Sequence, residues 1–225
     1  MKAPKYYRKY GYRLSLLPND YLASLEEGVN SIESALKKTG FSIGYPGWGL
    51  IYYLILCHLK PDNENIIIET GTNWGSTTIV LGQALKDSGY KGKVYTIEID
   101  PANHKKALYN LNAAMLEDYV CLIKGDSRLE LPRIMSEFDE IRVAFLDGSH
   151  LYDDVIFEFD IIYPLLTEQS IVIFDNTYQI AEEHEDQRVN GALRYIQKRY
   201  GGNIINLEYV SWYTPGIAIW QKSPF

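Results

Sequence analysis

Hydrophobic residues fall along this chain in two alternating rhythms. Short β-branched runs read as strands at residues 65–70 (NIIIET), 93–99 (KVYTIEI), 119–125 (YVCLIKG), 142–148 (RVAFLDG) and 170–176 (SIVIFDN), followed by 205–212 and 216–222. Between the first five lie amphipathic patterns at 76–89, 101–115, 127–138 and 151–166, and another follows at 185–200. Strands alternating with helices predict βαβ units on a largely parallel sheet. Only the short YTPG turn separates the last two strands, which predicts an antiparallel hairpin at the sheet's end. Ahead of this unit, residues 22–38 read as one helix and the strongly apolar 48–59 as a second, packed on the sheet.

The expected fold class is therefore α/β: a Rossmann-like, doubly wound, mostly parallel seven-stranded sheet with a C-terminal antiparallel hairpin. We expect an N-terminal arm and helix over 1–46, serving as a lid or in oligomerisation, and a single α/β domain over 47–225. The length of 225 residues suits one such core. Right-handed crossovers put the C-terminal ends of the parallel strands on one edge, where open α/β sheets bind ligands.

Composition narrows the partners. A net charge of −7 disfavours a nucleic-acid surface. The basic cluster Lys2, Lys5, Arg8, Lys9 and Arg13 is interleaved with Tyr6, Tyr7, Tyr10 and Tyr12, and reads best as an arm packing on the domain or on a second subunit. Cys57 and Cys121 sit in apolar runs, so both are expected to be buried, with neither a disulfide nor a zinc site. No stretch has the pattern of a secretion signal or a bilayer span, so the expectation is a soluble cytoplasmic protein.

The strand ends carry the candidate chemistry. Strand one ends at Glu69 and turns through Gly71 and Gly75 into a helix starting near Ser76, whose free N–H groups suit a polar or anionic guest. This spacing is neither a dinucleotide fingerprint nor a phosphate loop. Glu98, near the tip of strand two, stands where an acid can accept both hydroxyls of a ribose. Asp126 and Ser127 end strand three, as adenine contacts or as an ordinary helix N-cap. Strands four and five end in Asp147 and in Asp175 with Asn176, three oxygen donors suited to a hard cation if the two strands are neighbours. His150 follows Asp147 by three residues, where it can act as a general base. His58 and His104 read as helix residues, and His184 as a loop residue near substrate.

Together these strand ends resemble the class I S-adenosylmethionine-dependent methyltransferases, in the metal-dependent O-methyltransferase branch related to catechol O-methyltransferase and to bacterial sugar and macrolide O-methyltransferases. The resemblance covers residues 47 to 178. It implies that Glu69, Gly71, Thr72, Gly75, Ser76 and Thr77 form the cofactor loop, with Glu98 at the ribose and Asp126 and Ser127 near the adenine. It places the metal ligands, for Mg2+ or Mn2+, on Asp147, Asp175 and Asn176, with Asp147 also beside the cofactor. It puts the catalytic base on His150, which favours a sugar or natural-product hydroxyl over a catechol. The implied partner is a small-molecule hydroxyl acceptor, with no nucleic acid or membrane, and the N-terminal region is a candidate for homo-oligomer contacts. The competing readings are an NAD-linked enzyme on the same sheet, which should show a tighter glycine fingerprint, and a cofactor-binding protein without turnover.

Overall fold

The computed structural model describes residues 17–44, 46–177, 187–211 and 215–223. Seven strands form one sheet in the order β3-β2-β1-β4-β5-β7-β6. The first five, β1 (Asn65–Thr70), β2 (Gly92–Glu98), β3 (Val120–Lys124), β4 (Ile141–Leu146) and β5 (Leu166–Phe174), pair in parallel. The strand β7 (Pro215–Gln221) inserts antiparallel between β5 and β6 (Asn203–Tyr209), which gives the expected hairpin. The parallel order reverses direction at β1, so the neighbouring tips of β1 and β4 flank the crevice in which such sheets hold ligands.

Side chains alternate across the strands and divide the core in two. On one face Ile67, Val143 and Phe145 pack under α3 (Gly47–His58) and α4 (Ser76–Ser88), with Trp48, Ile51 and Ile55 supplied by α3. On the other, Ile66, Ile68 and Leu146 pack under α6 (Ser127–Met135), α7 (Tyr152–Ile162) and α8 (Val189–Tyr200), around the ring cluster of Phe159, Phe174 and Trp220. The helix α5 (Pro101–Ala113) joins β2 to β3 and starts at the N-cap Asp100.

Three expectations need correction. Residues 22–38 form two helices, α1 (Asp20–Glu26) and α2 (Ile32–Thr39), because Gly28 adopts φ +72 and Ser31 opens the second helix with a capping box to Ser34. The helix expected over 151–166 stops at Ile162. Pro164, lacking an N–H, falls in a 3-10 turn, Tyr163–Leu165, and β5 begins at Leu166, four residues ahead of the run SIVIFDN. Cys57 is exposed and Cys121 only partly buried, although both are free thiols as expected. α3 is apolar around its whole circumference but turns only one side to the sheet, and Cys57 lies on the other.

His58 and His104 are helical, in α3 and α5. The basic tyrosine-rich arm and His184 lie outside the described residues.

Candidate functional site

The tips of all five parallel strands open onto one cavity of about 620 Å3. The turn after β1 is pressed against the end of β4: a Cβ on Gly71, at φ +80, would lie 2.0 Å from the Asp147 carbonyl oxygen. Only a glycine allows this approach. Asn73 follows in the left-handed region at φ 51 and donates its backbone N–H to Glu98 Oε2 at 2.6 Å. The second carboxylate oxygen of Glu98 accepts from Asp100 N at 2.8 Å, so two backbone donors fix this acid at the β2 tip.

Of the predicted loop residues, Gly71, Thr72, Ser76 and Thr77 line the cavity, whereas Glu69 and Gly75 stand behind its wall. Glu69 is buried and accepts from the hydroxyls of Thr78 and Thr96, each at 2.5 Å. Burial pushes its carboxyl up to about 7, Glu98 adds to the rise, and the two hydroxyls pull it down. Gly75 is the N-cap of α4 and faces Ala107 of α5. Asp126 and Ser127 line the cavity at the β3 tip, where Asp126 also caps α6 by accepting from Arg128 N at 2.9 Å.

β4 and β5 are neighbours, with Leu146 opposite Phe174, so the residues that follow them meet. One ligand atom each from Asp147, His150 and Asp175 can be placed within 4.8 Å of one another. His150 Nε2 lies 3.1 Å from Asp147 Oδ1, and Asn176 Nδ2 lies 2.6 Å from His150 Nδ1. Asn176 is held at φ 56, which turns its side chain into this group. Burial raises the carboxyls of both Asp147 and Asp175 above the ordinary range, and the Asp147 charge raises Asp175 further. Asp175 Oδ1 is buried with no hydrogen-bond partner among the described residues. An orphaned buried carboxylate oxygen beside a second carboxylate, an amide and an imidazole fits a divalent cation, which would favour both charged forms.

Beneath this cluster lies Glu158 of α7, buried, with Oε2 accepting from Thr70 Oγ1 at 2.8 Å and its carboxyl pushed up to about 7 by burial. A Cβ on Gly148 would come within 3.0 Å of Glu158 Oε1, so the turn after Asp147 rests directly on this acid.

Sequence reasoning overlooked several cavity residues. Phe41 and Ser42 reach it from the turn after α2, tied down by the Ser42 to Thr77 hydroxyl contact at 3.0 Å and by Asn73 Nδ2 donating to Gly40 O at 2.8 Å. Trp74 and Asn103, which hydrogen-bond each other at 3.2 Å, add a wall from the β1 turn and α5. Arg128 and Asp154 add another from α6 and α7. The positive charge of Arg128, one residue past a predicted adenine contact, was the one available signal.

Residues 68–177 match the family model of a methyltransferase domain. Over this stretch the chain is similar to methyltransferases. No curated protein matches its sequence. Solved structures share the methyltransferase fold. A Bacillus cereus O-methyltransferase in complex with SAH is 17% identical, with a TM-score of 0.67 and 91% of each chain covered. The O-methyltransferase TomG of Streptomyces achromogenes, involved in tomaymycin synthesis and solved with SAM, is 16% identical, with a TM-score of 0.64, covering 94% of this chain and 100% of its own. A Staphylococcus aureus protein provisionally assigned as a caffeoyl-CoA O-methyltransferase is 22% identical, with a TM-score of 0.65, covering 91% and 98%. Among the described residues, no helix is long and apolar enough to cross a membrane.

Proposed function

We propose that this protein is a methyltransferase that moves the methyl group of S-adenosylmethionine to a hydroxyl of a small molecule, with a divalent cation, Mg2+ or Mn2+, held by Asp147, Asp175 and Asn176. The observation that carries the reading is the meeting of Asp147, His150 and Asp175 at the β4 and β5 tips, in the same cavity as Glu98, Asp126 and Ser127. The SAM and SAH bound to two of the solved relatives support the choice of cofactor. When bound, the cofactor supplies an electrophilic methyl, and the cation supplies the charge that lowers the acceptor's pKa.

The protein's own part is positioning and proton transfer. Gly71 and Thr72 offer a cofactor the bare turn after β1, Glu98 accepts from its ribose, and Asp126 with Ser127 borders its base. Trp74 and Phe41 exclude water from the sides of the cavity. In the tautomer whose Nε2–H donates to Asp147 Oδ1, Nδ1 carries the lone pair. That lone pair faces the Asn176 NH2, while the other end of the amide, Oδ1, is the atom a cation would take. The lone pair is the proton acceptor for the substrate hydroxyl, and Asp147 steadies the imidazolium that results.

Two measurements test the reading: calorimetric titration with S-adenosylhomocysteine, and methyl transfer to a panel of sugars and small phenols with Mg2+ or with excess chelator. Asp147→Ala and Asp175→Ala are expected to abolish turnover and keep cofactor affinity. Full transfer in chelator would remove the cation from the mechanism, and tight NAD binding in place of S-adenosylhomocysteine would overturn the function.

A further inference from the structure

The charge of the cavity wall carries an inference about the acceptor, and it rests on the methyl-transfer reading above. Glu98, Asp126, Asp147, Asp154 and Asp175 line the cavity, while Arg128 is the one Lys or Arg among its described lining residues. Arg128, half exposed, is paired with Asp154. Its Nε donates to Asp154 Oδ1 at 2.9 Å, its Nη2 contacts the same oxygen, and its guanidinium lies 5.1 Å from the centre of the Phe157 ring. Asp154 is fixed in turn by Ser149 Oγ at 2.6 Å, from the turn between Asp147 and His150. Lys106, just outside, lies over the rings of Trp74 and Tyr109 at 5.6 and 5.3 Å. The Arg128 amide at the start of α6 is also taken, because Asp126 accepts from it.

A divalent cation would offset Asp147 and Asp175, and a sulfonium one charge more. The uncapped start of α4, at Ser76 and Thr77, belongs to the loop proposed for the cofactor, and that of α7 carries Asp153 and Asp154 in its first turn, so a carboxylate or phosphate away from the reacting hydroxyl meets neither an unpaired guanidinium nor a lysine among the described lining residues. We propose that the acceptor is a neutral or amine-bearing hydroxyl compound, that the site rejects acceptors carrying a carboxylate or phosphate, and that Asp154 enforces this by occupying Arg128.

The test is a matched series on the Mg2+-loaded protein with S-adenosylhomocysteine: 3,4-dihydroxybenzylamine, 3,4-dihydroxybenzyl alcohol and 3,4-dihydroxybenzoate, titrated by calorimetry. All three present the same vicinal hydroxyls and differ in charge. The amine and the alcohol are expected to bind at least about tenfold more tightly than the carboxylate at low salt, with the gap narrowing at about 0.5 M NaCl as exposed charges are screened. Asp154→Asn, which keeps an oxygen for Ser149 and removes the charge paired with Arg128, should tighten the carboxylate several-fold relative to the alcohol. Equal or tighter binding of the carboxylate by the unaltered protein overturns the proposal, as does binding of none of the three by protein that takes up S-adenosylhomocysteine. If S-adenosylhomocysteine itself does not bind, the methyl-transfer reading fails, and the charge order on the Mg2+-loaded protein still decides this one.

Discussion

Replacing Glu69 with Gln isolates what burial of one acid costs this fold. The folded protein holds the Glu69 carboxyl at about 7 against an ordinary 4.5, with burial the first cause. Below the unfolded value both states are protonated and the group carries no penalty. Between 4.5 and 7 the folded state binds more protons than the unfolded one, so stability falls as pH rises, and the loss is complete above 7. At 1.36 kcal/mol per unit, this shift amounts to about 3 kcal/mol. Gln has no such titration, and its carbonyl oxygen can take the place of Oε2, which accepts from both threonine hydroxyls.

Urea unfolding in chelator at pH 5 and pH 8 therefore should show Glu69→Gln gaining up to about 3 kcal/mol on the unaltered protein between the two conditions. A difference that stays flat with pH would refute the argument that burial governs this carboxyl. The same variant addresses the cofactor. Because Glu69 stands behind the wall, S-adenosylhomocysteine affinity is expected to change less than threefold, or under about 0.7 kcal/mol, and a larger loss would bring Glu69 back to the cofactor.

Glu98→Ala removes a carboxylate with two backbone donors and a place at the cavity, and is expected to weaken S-adenosylhomocysteine binding by tenfold or more, at about 1.4 kcal/mol per decade, measured by calorimetry. His150→Gln should lose about 10²–10⁴-fold in turnover with cofactor affinity kept, and the loss should shrink as pH rises and solvent hydroxide takes over the proton. A melting temperature and cofactor affinity that fall together, with no recovery at high pH, would mark His150 as a packing residue instead.

Much of this was readable in the sequence because the parallel strands are buried on both faces. Buried strands of this kind read as unbroken runs such as IIIE and VAFL, and their ends could be located closely enough to place Glu98, Asp147 and Asp175 on one edge. Local breaks were harder. Gly28 lies within a continuous helical rhythm, and only its left-handed backbone, with Ser31 capping the next turn, divides α1 from α2. Cys57 was misplaced because an all-apolar helix gives no sign of which side meets the sheet. The cavity's side walls were the least legible. Phe41, Asn103 and Asp154 belong to helix ends and turns whose approach to the strand tips depends on tertiary packing, which periodicity does not encode.

The carboxyls at the strand ends also bear on the proposed cation. Glu69, Asp147, Glu158 and Asp175 are all raised by burial, so near neutral pH the protein without metal is destabilised by each proton it loses. Two of the four, Asp147 and Asp175, are the proposed ligands, and their charged forms are the ones a cation stabilises. Binding should therefore be linked to proton release: Mg2+ is expected to stabilise the fold more at pH 8 than at pH 6, where protons compete for the same oxygens. With Mg2+ at a hundredfold above its dissociation constant, the gain at pH 8 is about 2.7 kcal/mol. Thermal unfolding with and without Mg2+ at both pH values reads it directly. An equal shift at both, or no shift at pH 8, would mean that the orphaned Asp175 oxygen is satisfied by something other than a metal.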